Sequence, residues 1–316
     1  MMMDCRVYGV VGISSIMANW NADFSGYPKT TSKGDVFGSD KAFKYPMKSL
    51  WNDCGDKVLY IKSMEMIDDK KGNVSLVPRT LLGRYAYLFG TDDVKDVRSV
   101  LENLFSAVDV KNFGATFAEK GCNISITGAV QFGQGFNKYA GSMPQEQQIL
   151  SPFRDATASS KNKDGVEAKN ASVGTKIVSD EAHYFYPFFV NPKTYSTYVE
   201  MGVTEGYTMD DYLKFKHAAL SATTSFATNA KAGCENEFGL FVMADDDVYL
   251  PNLTESITFE HRDNDKNVIY VMCGELLQEF GSKVRGVEIY YNPYTTIIKT
   301  DICNVGMFHI FTGKAV

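Results

Sequence analysis

The sequence predicts an α+β protein with a ferredoxin-like core, the fold of RNA-recognition modules. Three observations predict it. Between residues 5 and 137 the patterns run strand, helix, strand, helix, strand. Ile124, Ile126, Gly128 and Val130 alternate with Ser125, Thr127, Ala129 and Gln131, the period of two that a half-buried strand requires. A hydrophobic fraction of 44%, with 21 Phe and 18 Tyr, supplies core for 316 residues, enough for one large domain or two ordinary ones.

Residues 5–17 are rich in Val and Ile and form the first expected strand. They run into a polar loop, residues 18–26, where Asn19, Asn21 and Asp23 alternate as metal or nucleotide ligands do. An Asx turn gives the same pattern, and the spacing of a calcium loop is not met. Residues 28–38 continue the loop and carry Lys29 and Lys33. Ser39-Asp40 offers a helix cap. Lys41, Lys44 and Lys48 then share one face of a helix that Pro46 either starts or kinks. Such a face is either a solvated surface or a strip for phosphates.

Residues 57–67 read as the second strand and 68–73 as its turn; residues 75–87, with Arg79 and Arg84, show no clear period. Val97, Val100, Leu101, Leu104 and Phe105 have amphipathic helical spacing. Residues 108–115 close that helix and turn the chain back. The alternating strand, residues 123–132, leaves through Gly133-Gln134-Gly135. Without a Cβ, this exit admits a polymer or a phosphate close to the backbone; a plain turn at a sheet edge is the alternative.

Residues 139–180 break the pattern, being long, polar and poor in aliphatics. Phe153 beside Arg154 on such an arm suits stacking on a base, and a surface insertion is the simpler reading. Residues 181–192 are the most aromatic run and read as a buried strand, with His183 as a core or edge histidine. Residues 209–226 read as a helix whose hydroxyl-rich end leads to Lys231; residues 238–243, 267–273 and 286–291 complete the strands.

The net charge is −6, yet seven acids between Asp245 and Asp265 against Arg262 account for it, leaving the rest close to neutral. Total charge therefore does not exclude a nucleic acid. The six cysteines are scattered without a C-x-x-C pair, which fits a reducing cytoplasm better than a zinc ribbon or a disulfide framework. The N-terminus lacks the features of a signal peptide, and no apolar run approaches the roughly 20 residues of a membrane span, so no membrane is expected. Nucleotide-binding, hydrolase and zinc-protease motifs are missing from the sequence. Asp245-Asp246-Asp247 could hold a divalent ion, although such a run is more often a solvated turn. The expectation is a binding protein without cofactor or metal, not an enzyme.

The order of these pieces resembles the crRNA-binding backbone subunit of type I CRISPR Cascade, the seventh Cas family of the RAMP superfamily, in its I-B branch. Four places carry the likeness: Asn19-x-Asn21-x-Asp23 at the end of the first strand; the helix with Lys41, Lys44 and Lys48; residues 109–115, DVKNFGA, followed by 127–133, TGAVQFG; and residues 181–192. It spans roughly residues 5–245, with Lys111 where arginine is usual and Ala129 where proline is common. It implies a single RAMP-type domain over residues 1–316 shaped as a right hand. A ferredoxin-like palm would occupy 5–137 and 181–316, with a finger insertion at about 68–92 and a thumb at about 139–180.

Copies would stack as a helical filament along one crRNA beside other Cascade subunits, and guide pairing would read the target DNA strand. The implied RNA contacts are Asn19 and Asn21, the phosphate-neutralising Lys41, Lys44 and Lys48, and Gln131, Phe132 and Gln134 along the path. Phe153, Arg154, Lys169, Ser172 and Lys176 on and beside the thumb, with Lys231, complete the set. Two other readings stay open at this point. One is a metal-dependent RNA endonuclease of a type III-like complex, using Asp23 or Asp155. The other is a structural protein that assembles without RNA.

Overall fold

A computed structural model describes residues 2–68, 72–150 and 173–316. The chain begins with β1 (Cys5–Ala18), a short β2 (Phe37–Gly38) and α1 (Asp40–Asp53). Then come a hairpin of β3 (Met64–Asp68) and β4 (Val74–Pro78), and the helices α2 (Leu81–Phe89), α3 (Val97–Ser106) and α4 (Val108–Phe113). The strands β5 (Gly114–Glu119), β6 (Cys122–Thr127), β7 (Val130–Phe132) and β8 (Gly135–Asn137) follow. Next are β9 (Pro144–Leu150), β10 (Val173–Val190), α5 (Ser196–Glu200), α6 (Met209–Ser225) and β11 (Cys234–Asp245). The chain ends with β12 (Ile257–Glu260), β13 (Asn267–Val271), α7 (Gly274–Glu279), β14 (Val284–Tyr291), β15 (Thr296–Thr300) and β16 (Gly306–His309).

The main sheet is built around β1, which pairs antiparallel with β10 on one side and β11 on the other. β7 and β8 pair antiparallel with β10, and β14 with β11. The inner order is thus β14, β11, β1, β10, then β7 and β8.

Both faces of this sheet are covered, which is why residues 7–13 of β1 read as a continuous apolar run. On one side Val7, Val11 and Ile13 pack with Phe43, Met47 and Trp51 of α1 and with Phe215 and Ala219 of α6. On the other, Tyr8, Val10, Phe185, Phe238 and Leu240 pack with Ile257, Ile269, Val271 and Leu277. That second layer is the sheet β12-β13-β15 with α7. The sheet aromatics that bind bases in RNA-recognition modules therefore have no open counterpart at Tyr8, Phe185 and Phe238, which are at most 8% exposed.

Several expected elements change. Ser39 caps α1 as expected, its hydroxyl accepting from the Ala42 N–H, and the helix then runs from Asp40 through a buried Pro46 without restarting there. The expected strand 57–67 forms only from Met64. Upstream, the Leu59 and Tyr60 N–H groups bond the Asp109 carboxylate, and Arg84 takes the Val58 carbonyl. With those backbone groups satisfied by side chains, no ladder forms. β11 starts four residues before the expected 238–243 and ends two residues after it.

The expected strand 123–132 is two strands. β6 pairs with β5, whereas β7 joins β10 in the main sheet. The break falls at Gly128. A Cβ there would sit 2.3 Å from the Phe113 carbonyl carbon, 2.4 Å from the Gly114 nitrogen and 2.5 Å from the Asn112 oxygen. All three are backbone atoms and cannot swing aside. Gly128→Ala is expected to lower stability by about 2–3 kcal/mol, read as a lower urea midpoint. An unchanged midpoint would mean that the two backbones separate at no cost.

Candidate nucleic-acid interface

The loop after β1 is held from inside. Asn19 is buried and donates from Nδ2 to the Gly26 carbonyl at 2.8 Å and to the Ile177 carbonyl of β10 at 3.1 Å. Asn21 accepts from the Ser39 N–H at 2.9 Å, tying the loop to the start of α1. Asp23 accepts from the Ser25 N–H, the Ser25 hydroxyl and the Tyr27 N–H, an Asx turn. These bonds, the Ser25 hydroxyl first, hold its carboxyl below the usual range. The three side chains thus shape the loop. Asp23, proposed for RNA cleavage, is committed to the turn, and Asp155 lies outside the described residues.

The lysine face of α1 divides. Lys41 is exposed and has no ion pair among the described residues. Lys44 pairs with Asp40 at 2.9 Å and lies over the Phe113 ring. Lys48 turns inward to the buried Asp109 at 3.5 Å and donates to the Tyr60 carbonyl. Burial pulls its pKa down against the upward pull of Asp109. Helical spacing placed the three together but could not say that Asp109 waits beneath one of them. Lys29 and Lys33 in the loop also lack ion pairs among the described residues; the open cations here are Lys29, Lys33 and Lys41.

The glycine exit receives the chain's own aromatic ring. A Cβ on Gly135 would meet the Tyr186 ring at 2.4 Å, and one on Gly133 would meet Pro187 at 2.8 Å. Phe132 is half-buried and packs against the core among Phe43, Phe113, Phe188 and Phe215. Gln131 donates to the Gly128 carbonyl at 2.9 Å and, with Gly133, lines an apolar cleft of about 280 Å³ against Tyr8, Phe189, Leu250 and Leu253. Gln134 is exposed.

The arm expected at 139–180 begins as a paired ladder, β9 against the first part of β10 from Val173↔Leu150 to Ser179↔Pro144. Lys176 on β10 bonds Asn229 at 3.0 Å. Phe153, Arg154, Lys169 and Ser172 lie outside the described residues. Lys231 is turned inward: it donates to the Asn19 carbonyl at 2.6 Å and to the Trp20 carbonyl, and stacks over the Trp20 ring. Burial lowers its pKa. It braces the loop from below.

His183 is a core histidine, one of the two places expected for it, but its partners and those of the acidic run were not legible. The buried His183 is clamped, Nδ1 bonding Glu237 at 2.8 Å and Nε2 bonding Glu181 at 2.8 Å. Phe259 stacks on its ring at 3.9 Å, and His261 continues the chain to Glu181 at 3.0 Å. The cluster ties β10, β11 and the end of β12 together. The acidic run is also structural. Asp245 pairs with Arg285 at 2.5 Å, Asp246 with Lys193, and Asp247 with Lys283 at 2.6 Å. Three adjacent aspartates thus hold three different cations.

The architecture is shared with a chain of a solved structure described as a CRISPR RNA-guided surveillance complex, pre-nicking. The TM-score is 0.56 at 14% identity, covering 96% of each chain. A chain of a second CRISPR RNA-guided surveillance complex aligns with a TM-score of 0.45 and 14% identity, over 89% of this chain and 88% of that one. The first of these matches shows a fold shared with a chain of an RNA-guided CRISPR surveillance complex. The sequence model of the CRISPR-associated protein Cas7 family matches residues 5–271, and the chain belongs to that family. Comparison with curated proteins gave no match. No helix among the described residues is long and apolar enough to cross a membrane.

Proposed function

We propose that this protein is the crRNA-binding backbone subunit of a Cascade complex, binding its guide without cutting it. Family membership over residues 5–271 carries this reading. In it, copies stack along the crRNA beside other Cascade subunits in the cytoplasm, and the displayed guide pairs with the target DNA strand. The palm is read as a ferredoxin-like unit. Its support is the order β11-β1-β10-β7/β8 with α1 and α6 in one core beside it. The arm of β9 and β10 is read as the base of the thumb. The I-B branch rests on the sequence likeness alone. Because the sheet faces are covered, the RNA path is assigned to the loop of residues 19–39, the start of α1 and the arm beside them.

The test is the nucleic acid that copurifies with the protein, sized on a denaturing gel, and the binding of a CRISPR-repeat RNA added to stripped protein. Replacing Lys29, Lys33 and Lys41 together by alanine is expected to weaken RNA binding and flatten its salt dependence by about 2 in the log–log slope, near 0.7 per phosphate. Wild-type protein that binds no RNA, with guide and partner subunits supplied, would sink the proposal. A triple variant with an unchanged slope would move the RNA path elsewhere.

A further inference from the structure

Phe24 is 113% exposed, more than any other large apolar side chain among the described residues. Other open rings have company: Tyr249 lies under Arg6, Tyr87 under Arg79, and Tyr294 against His309. Phe24 has no ring or cation contact among the described residues. Leaving it in water forgoes the gain of burial, and a pliant loop would fold it down.

This loop is not free to do so. The Asp23 N–H donates to the Tyr27 carbonyl at 2.8 Å, and the Gly26 N–H to the Asp23 carbonyl at 3.2 Å. The Asp23 carboxylate holds Ser25 and Tyr27 from the other side. Gly26 takes φ +90°, and Asn19 fixes its carbonyl. The Tyr27 hydroxyl bonds Glu146 on β9, anchoring the loop to the arm. Phe24 stands at the tip of a braced turn.

The surroundings distinguish between occupants. Ala22, Asp23 and Ser25 beside it in the chain are exposed and small or polar, so the turn itself adds nothing to the ring that would make an apolar patch of the kind a protein partner needs. Lys29, Lys33 and Lys41 lie on the segments bonded to this loop, through Lys29 N–H to the Asn21 carbonyl and Ser39 N–H to Asn21. The nearby acids are engaged locally, Asp23 in its turn, Asp35 with Thr31 and Asp40 with Lys44. A lone presented ring among unpaired cations matches an unstacked nucleobase on a phosphate backbone.

We propose that Phe24 is a stacking platform for one unpaired base of the bound RNA. This rests on the RNA-binding reading above, and adds to it a neutral, face-to-face contact that the lysines cannot provide. The test uses full-length Phe24→Ala, Phe24→Leu and Phe24→Trp proteins with a single-stranded CRISPR-repeat RNA, titrated at low and high salt. Phe24→Ala and Phe24→Leu are expected to bind roughly five- to a hundredfold more weakly with an unchanged salt slope, and Phe24→Trp as well as wild type or better. The ring is fully exposed, so melting temperatures should not move. Wild-type affinity in Phe24→Ala, while the triple-lysine variant still loses binding, overturns the stacking role and leaves the RNA reading standing. Phe24→Ala that binds RNA normally but loses self-association overturns it in favour of a protein contact. Wild-type protein that binds no RNA, with guide and partner subunits supplied, overturns both.

Discussion

Asp109→Ala is expected to cost about 3–5 kcal/mol of folding stability, the loss typical of removing one partner from a buried ion pair. Asp109 is fully buried and does three things at once. It accepts from the Leu59 and Tyr60 N–H groups at 2.8 Å each and pairs with Lys48 at 3.5 Å. The alanine variant leaves the buried Leu59 N–H and the half-buried Tyr60 N–H without an acceptor and the Lys48 ammonium without this counter-charge. Urea midpoints measure the loss. Lys48→Met alone should cost less, and the double variant less than the sum of the two, because the stranded charge is gone. A midpoint within error of wild type for Asp109→Ala would refute this account. The same geometry shows what the DVKNFGA stretch does here. Asn112 accepts from the Tyr207 hydroxyl, Lys111 pairs with Asp211 at 2.8 Å, and Gly114 takes φ +83°. The stretch is a fastening between layers.

The second large effect depends on pH. Burial disfavours the His183 imidazolium, but the carboxylates of Glu237 and Glu181 outweigh it and push the ring up to about 9 from an ordinary 6.5. A raised value stabilises the fold fully below pH 6.5, and this contribution is lost as pH rises through about 9. Its size is on the order of 3 kcal/mol. Glu181 acts in the opposite sense. Held below its ordinary 4.5 chiefly by the bond from His183, it contributes above that pH and loses its share as the solution is acidified. His183→Gln is therefore expected to be less stable than wild type near pH 6 and to lose the decline between pH 6.5 and 9. Parallel declines in both proteins would exclude His183 as their source.

Much of the frame was legible because its burial pattern is local. Residues 7–13 of β1 and 184–190 of β10 announce themselves as runs without charged or amide gaps, and Ser39 marks the start of α1 from its neighbours alone. What was not legible depends on partners far along the chain. The alternation of residues 122–132 continues smoothly across the break at Gly128, since β6 and β7 share one period; only the α4 backbone pressed against Gly128 separates them. Residues 57–63 have strand-like composition, and Asp109 takes their N–H groups first. Lys41, Lys44 and Lys48 look alike in sequence; Asp40 engages Lys44 from one turn away, and only the distant Asp109 shows that Lys48 turns inward. Phe24 carried a signal that a turn-minded reading can use, a large apolar residue set between Asp23 and Ser25-Gly26 where nothing apolar is required.

The central position of β1 has a consequence in time. Among the described strands it comes earliest in the chain, and its two neighbours come late, with pairs such as Val7↔Val190 and Cys5↔Asp245. At about 5–20 residues per second, β1 waits roughly 10–45 s for its second partner to be made. During that interval a 14-residue strand, apolar over residues 7–13, has both edges open. The ribosome-bound chain is thus at its most aggregation-prone before the frame can close, and slower translation lengthens the exposure in proportion. Yield of this protein should depend on chaperone supply and on the speed of elongation through residues 19–245 more than on the stability of the finished fold.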